Sequence, residues 1–549
     1  MIQLALLPPH KHRARQLAKW LMLAAPLACA GLAVWFGQDA NWDLRNYHWY
    51  NAYAFLNSRH GFDLLPSQTP FFYNPLIDVP LFMLNTVGPA RFCGAMLGLV
   101  QGLNFIPLFM LCHAMLNIPQ PTRRVGIAAG LAGLGLAGGG GLAQLGATFY
   151  DNVVSLGLLT TLLLLASSLP YLYKLPARNV LPRVFAYGVP AGLALGLKLT
   201  LIPFCAALLP ALLLAGGPMR RRWQLILACG SGMALGLLVT QGYWMWFLWT
   251  HYQNPIFPYF NQFFGSPYAP ATSARDVQFI PGHWQDVLAF PFQFALNPKL
   301  VGEIIWRDYR VPALYLLLPV CSMIAYVVGR RRDESLSIAP VIPVRFLLWF
   351  AVFGYVFWLA LFSIYRYLVV LEMLAPLLIL LSIGLLPLRR DTKLLAAGGL
   401  LLLLAVTVKP GDWGHVPWSA KFVTAMTPEI SDPEHTLLLM GGYEPYSHIL
   451  PSLPSAMAAI RFQSNFTDPL KGNTGINAEI RDRISRHSGN FLLTLPAWQI
   501  PYSEHIQIAL ATYNLRFLAG SCLNYPDNLG NVFAYCPIEP VPLKVPDDE

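Results

Sequence analysis

Apolar residues run in long blocks along this chain, and short polar tracts separate the blocks. Blocks of about 18 or more apolar residues with few charges predict membrane-spanning helices, because about 20 helical residues cross the hydrocarbon. A helix also satisfies its own backbone polar groups, which lipid cannot do. The pattern predicts spans near 20–37, 92–116, 125–146, 152–173, 184–198, 199–216, 223–247, 311–329, 344–363, 368–387 and 393–408, about eleven crossings. The apolar stretch around Pro75 to Gly88 is interrupted by Asp78 and Pro80, so it reads as a re-entrant or interfacial piece.

The polar tracts set the orientation. Lys11 to Lys19, Arg123 and Arg124, Lys174 to Arg183, Arg220 to Arg222, Arg330 to Arg332, and Arg389 to Lys393 all fall between apolar blocks. Short cytoplasmic loops carry such an excess of Lys and Arg, so the tracts mark one side. Keeping them on that side requires 184–216 to pass out and back as a pair of short helices. It places the N-terminus inside and the C-terminus outside. The first block has a basic flank and the small residues of "PLACAG", as a secretory signal would. Its continuation through Val34, Trp35 and Phe36 reads instead as an uncleaved anchor.

From about residue 409 the pattern changes to polar and charged, with turn-rich stretches such as "KPGDWGHVPWS". Short strands are predicted at "HTLLLMGG", "NFLLTLP" and "NVFAYCPI", and a helix at "NAEIRDRISRH". The expected architecture is therefore mainly α. Residues 1–408 form a polytopic transmembrane helical bundle with outer loops at about 38–91 and 248–310. Residues 409–549 form an extracytoplasmic α/β domain large enough for its own core.

Composition narrows the function. Charged residues are 12% of the chain against 55% hydrophobic ones, which excludes an ordinary soluble enzyme. The net charge of +10 comes from the inter-block tracts, and no basic stripe interleaved with aromatics points to nucleic acid. Of the eight cysteines, six lie in or beside predicted spans, where a small buried thiol is expected. Cys522 and Cys536 lie in the outer tail, where an oxidising compartment would let them pair. No cysteine or histidine cluster has metal-site spacing. No Ser–His–Asp arrangement, phosphate-binding P-loop or dinucleotide fingerprint stands out. The run "GLGLAGGGG" at 133–141 lies in an apolar block and reads as a helix-packing surface.

Candidate chemistry gathers at the outer ends of the spans. "FGQDANWDLRNYHWYNAYAFLNSRHGFD" follows the first block and carries Asp39 and Asp43 at its start. These acids are also readable as ordinary interfacial residues, with Asp43 paired to Arg45 and the aromatics lying along an interface helix. A second acid, Asp151 in "ATFYDNVVSL", falls at the same membrane level, where its plain role would be to cap the next helix. Two carboxylates at one depth can share a divalent cation such as Mg²⁺ or Mn²⁺, or divide the work of base and orienting group. Lys198 in "GLALGLKLTLIPF" and Arg366 in "FSIYRYLVVLE" reach that level, and Arg307 and Arg310 in "IIWRDYR" precede the eighth span. Cations there either snorkel to the interface or hold an anionic, lipid-linked substrate.

This layout resembles the GT-C superfamily of multispanning glycosyltransferases, which use polyprenyl-phosphate-linked sugars. The likeness lies in an acidic motif in a large loop after the first span, a second acid between the third and fourth spans, and a second large loop after the seventh. "WDLRNYHWYNAYAFLNSRHGFDLLP" resembles the family's acid and aromatic-helix motif, and "TFYDN" its second acidic position. "GLALGLKLTLIPF" and "YRYLVVLEMLAPLL" are similar to segments of bacterial members. The resemblance covers roughly residues 20–390 and implies that Asp43 is the catalytic base, with Asp39 beside it and Asp151 at the second acidic, metal-linked position. It implies a polyprenyl-phosphate sugar donor, an extracytoplasmic acceptor, and a place in a bacterial inner membrane. A transporter or lipid flippase would also carry many spans, broken helices and intramembrane charges. A noncatalytic assembly protein with a binding tail is the third reading.

Overall fold

The computed structural model describes residues 12–328 and 337–541, so Lys11 and the tract Arg330 to Arg332 lie outside the described residues. Among these residues, eight helices are long and apolar enough to cross a membrane. They are His12–Phe36, Ala90–Met115, Asp151–Leu172, Ala177–Leu197, Met219–Tyr252, Arg310–Val327, Val341–Leu361 and Tyr365–Gly384. The other expected spans are also helical but fall short of that standard. Pro121–Leu136 is only 16 residues and Ile202–Leu214 only 13, while Arg390–Thr407 begins with three charged residues in its first four. The piece at Pro75–Val87 is a short apolar helix.

Local chemistry explains where these helices break. Within Ala90–Met115, one helix ends at Gly102 and another begins at Phe105. Pro107 in the first turn of the second helix has no N–H to continue the ladder backward. The span expected over 125–146 ends at Leu136, and the glycine run turns into the separate short helix Gly139–Ala143. The expected pair over 184–216 is Ala177–Leu197 and Ile202–Leu214, broken at Lys198, whose backbone is extended. Met219–Tyr252 has 34 residues, about 50 Å of helix, well beyond one bilayer crossing.

The chain divides into two compact units. The first gathers the residues up to Phe36, Gly94–Tyr243 and Asp276–Trp413. At its centre lies the helix Val369–Gly384, "VVLEMLAPLLILLSIG", which is apolar apart from Glu372 and Ser382 and almost wholly buried. A helix apolar nearly all round has no face to show to water and belongs at the centre of a bundle. Arg310–Val327, Pro121–Leu136, Arg390–Thr407 and Val341–Leu361 pack against it. Elsewhere in this unit Gly188 and Gly192 meet the backbone at Cys229 and Met233, and Gly232 meets it at Phe185, so a methyl group at any of them would collide. Such spaced small residues let helices approach backbone to backbone.

The second unit contains Gly37–Cys93, Trp244–Arg275 and the described residues from Gly414 onward. Strand β1 (Gln38–Asp39) pairs antiparallel with β2 (His415–Val416). A six-stranded sheet follows, built from β3 (Thr436–Met440), β4 (Ala458–Arg461), β5 (Asn490–Pro496), β6 (Leu515–Phe517), β7 (Leu523–Pro526) and β8 (Val532–Pro540). Its order is β4-β3-β5-β8-β6, with β7 also on β8. The first three strands are parallel, and β8 runs antiparallel to β5. The three strands and the helix expected from sequence are β3, β5, β8 and Gly475–Arg486. That helix is capped by Thr474 and buries Ile476, Ile480 and Ile484 along one stripe. Cys522 and Cys536 form a disulfide, and the six cysteines nearer the N-terminus are thiols.

Packing groups the chain along other lines than the division drawn at residue 409 from composition. The loop of 38–91 and the first part of the second loop fold with the tail, whereas 276–310 folds with the helical unit. Leu64, Leu65, Phe71, Phe72 and Phe257 share one core with Leu437–Met440 and Leu493. Arg59 and Asp63 stitch the first loop to the sheet. Arg59 Nε lies 2.5 Å from Asp63 Oδ2, and Arg59 donates to the carbonyls of Ser455 and Met457. Asp63 accepts from Tyr50 Oη at 2.8 Å and from the Ala459 N–H at 2.9 Å.

Candidate functional site

In the helical unit, three residues predicted from separate segments come together. Asp151 is the first residue of Asp151–Leu172, entered through Tyr150 in the left-handed region (φ 62°). A β-carbon is disfavoured there, so the surroundings must hold this turn. Gln101 does so by donating to the carbonyls of Gln144 and Ala147 and accepting from the Gly146 N–H. Asn104 donates to the Asn152 carbonyl, and Asn152 to that of Gly141.

Lys198, at the break after Ala177–Leu197, places Nζ 2.9 Å from Asp151 Oδ2 and also donates to the Phe149 carbonyl. Thr200 donates to Asp151 Oδ1 at 3.3 Å. Arg366, in the turn Tyr365–Leu368, lays its guanidinium 4.5 Å from the Phe149 ring, 5.4 Å from Tyr367 and 5.7 Å from Trp413. Gln144, Trp306, Tyr365, Arg366 and Trp413 line a narrow pocket. A guanidinium over aromatic faces is held there by cation–π attraction. The arrangement is a cationic corner with aromatic walls.

The remaining two arginines are built into the scaffold. Arg310 is buried, lies 3.1 Å from Asp308 and donates to the carbonyls of Leu134 and Ala137, closing the end of Pro121–Leu136. Arg307 Nε donates to the Thr407 carbonyl, and its backbone pairs with Lys409. Both arginines thus tie helix ends and strand-like backbone within the helical unit.

Sequence reasoning missed their acidic counterparts. Asp308 accepts the Gly139 N–H, while buried Glu372 accepts those of Gly140 and Gly141 and the Tyr365 hydroxyl. The glycine run thus does two things: Gly135 packs against the Met373 backbone of the neighbouring helix, as expected, while a β-carbon at Gly138 or Gly140 would strike Glu372 or Tyr365. The available signal was a lone glutamate inside an apolar span.

Asp151, expected at a metal-linked position, is engaged by donors of the chain itself. Both its oxygens accept from Lys198 and Thr200, and an ammonium beside a carboxylate repels a second cation. Among the described residues no group of three or more His, Cys, Asp or Glu is placed to hold a metal ion.

In the second unit, Asp39 and Asp43 flank a turn. Asp39 accepts three hydrogen bonds from Asn41, and Asn41 Oδ1 accepts the Leu44 N–H at 2.8 Å. Asp43 follows as the buried N-cap of the π-helix Leu44–His48, with Tyr47 Oη donating to it at 3.1 Å. Single π-turns occur frequently at functional sites. Arg45 is not the partner of Asp43, because it donates to Asn531 Oδ1 at 2.8 Å. His48 Nδ1 lies 2.6 Å from Asp78 Oδ1, and both side chains are buried. This pair was not anticipated, although Asp78 was conspicuous as an acid in an apolar stretch. The aromatic motif continues as the helix Trp49–Leu56.

His448 holds the π-helix from the tail side. Its Nδ1 lies 3.1 Å from the Arg45 carbonyl, and its Nε2 lies 2.8 Å from Asp527. The His448 bond and the N–H of Asn531 keep the Asp527 carboxyl below its usual range, against the opposing effect of burial.

Comparison of the chain with family models, with curated proteins and with solved structures gives no match.

Proposed function

We propose that this protein is a multi-pass membrane glycosyltransferase of GT-C type that moves a sugar from a polyprenyl-phosphate donor to an extracytoplasmic acceptor. The observation that carries this reading is the meeting of Asp151, Lys198 and Arg366 around Phe149, from three segments far apart in sequence. The reading places the chain in a bacterial inner membrane with about eleven crossings, its N-terminus cytoplasmic and its tail outside, as the basic tracts require.

The chemistry asks little else of the protein. An acceptor hydroxyl is a weak nucleophile and reacts faster when a carboxylate takes its proton, the role assigned to Asp43. The new bond joins the acceptor oxygen to the anomeric carbon, while the bond from that carbon to the donor phosphate breaks and polyprenyl phosphate leaves. Lys198 and Arg366 supply positive charge for the leaving phosphate, worth most where water is partly excluded. Asp151 positions Lys198, and Asp39 orders the turn that presents Asp43.

The test is to incubate purified protein in lipid nanodiscs with a panel of polyprenyl-phosphate sugars and follow release of polyprenyl phosphate. Cleavage of at least one donor supports the reading. Movement of an intact donor across the bilayer without cleavage would assign the protein to lipid transport instead.

A further inference from the structure

The parallel part of the tail sheet has a carboxyl end that the reaction above does not use. From β3 the chain passes to β4 on one side, then through the helix Gly475–Arg486 over β3 to β5, and onward to the β8 side. Connections from the adjacent strands β3 and β5 thus leave in opposite directions. Open α/β sheets bind ligands outside the carboxyl ends of their strands at such a point.

The residues at that end are Gly441 to Glu444 after β3, Gln463 after β4, and Ala497 to Gln499 after β5. Gly442 adopts φ +80°, and Gln499 Oε1 lies 3.3 Å from the position a β-carbon on it would occupy. The Tyr443 carbonyl accepts from Gln68 Nε2 at 3.0 Å, and the same nitrogen donates to Asn46 Oδ1 at 3.0 Å. Three neutral amides therefore collect around one glycine turn, two residues from the end of the strand.

Two of these amides, Asn46 and Gln499, have a polar atom left over, as does Gln463 after β4. Asn46, Gln463 and Gln499 are 0%, 3% and 9% exposed. Asn46 Nδ2, Gln463 Oε1 and Gln499 Oε1 have no hydrogen-bond partner. A buried polar atom without a partner costs about 1–3 kcal/mol. Beside them Tyr443 is 43% exposed, its hydroxyl 3.5 Å from Asp468, whose charge Lys471 offsets at 3.4 Å.

We infer that this turn is a binding site for a neutral carbohydrate. A sugar hydroxyl both donates and accepts, so adjacent hydroxyls match one amide donor and two amide acceptors. An exposed tyrosine ring beside them offers the flat apolar surface that a sugar ring covers. The inference rests on the transferase reading only in identifying this glycan as the acceptor; the binding itself is independent of turnover.

The full-length protein in nanodiscs is titrated by calorimetry with a panel of short neutral gluco-, manno- and galacto-oligosaccharides, with an anionic oligosaccharide as control. At least one neutral member should bind, and Gln499→Leu and Gln463→Leu should each weaken it tenfold or more. Neither variant should lower the melting midpoint, because each removes an unpaired buried acceptor. Should either leucine variant lose its melting transition, Gln499→Met and Gln463→Met give the same comparison. The inference fails if no neutral oligosaccharide binds, if only the anionic control binds, or if the folded variants bind as the native protein does. Binding without sugar transfer would remove the transferase reading and keep this one. Transfer without binding would do the reverse.

Discussion

Lys198 Nζ lies 2.9 Å from Asp151 Oδ2, joining the broken end of one helix to the first residue of another. The lysine is only 13% exposed along its side chain and the aspartate 4%, so this is a largely desolvated pair. Removing one member of such a pair leaves a poorly solvated charge behind.

Lys198→Ala and Arg366→Ala should each weaken polyprenyl-phosphate binding at least tenfold, the loss of about one charge-assisted hydrogen bond. Asp151→Asn should produce a milder loss, since it loosens Lys198 without removing it. Surface plasmon resonance on immobilised protein with polyprenyl phosphate in detergent checks this. Unchanged affinity in both cation variants would reduce the two residues to interface contacts.

The Arg59–Asp63 pair makes a separate prediction about the fold. Arg59→Ala should destabilise the second unit by about 3 kcal/mol, because Asp63 is fully buried and would lose its charge partner. Asp63→Asn combined with Arg59→Met should cost less than Arg59→Ala alone, since no charge is stranded. Thermal melting followed at the tail's tryptophans gives both values.

His60 sets a pH dependence. Its ring lies 5.1 Å from Trp244, 5.2 Å from Phe71 and 5.7 Å from Phe247, and its Nε2 has no hydrogen-bond partner. Burial, with a smaller push from His251, lowers its pKa from 6.5 to about 4. Between those values the unfolded chain binds a proton that the folded chain does not, so stability rises with pH and is lost as pH falls through the window. His60→Phe should therefore melt higher than the native protein at pH 4.5, by about 2 kcal/mol, and nearly alike at pH 7.5. Parallel melting curves of the two proteins across that range would contradict it.

Much of the fold was legible because it rests on short-range periodicity. Apolar blocks located helices at every expected span, and alternating or short apolar runs located β3, β5 and β8. The expectation that Asp151, Lys198 and Arg366 share one level also needed only helix lengths and turn positions. What sequence did not reveal depends on partners hundreds of residues apart. Glu372 receives the glycine N–H groups across 231 and 232 positions, and Arg310 reaches helix carbonyls across 173 and 176. Composition placed a boundary at 409, but Asp63 binds Ala459 across 396 positions, and no local pattern announces that.

The central claim is that Asp43 takes a proton from an acceptor during sugar transfer. Asp43→Asn keeps the shape of the side chain and its place beside Tyr47 but removes its basicity. Single-turnover sugar transfer by this variant, measured beside its affinity for polyprenyl phosphate, tests the claim most directly. The account predicts a rate lowered by about 10²-fold or more with donor affinity within about twofold of native. Transfer at the native rate would contradict it.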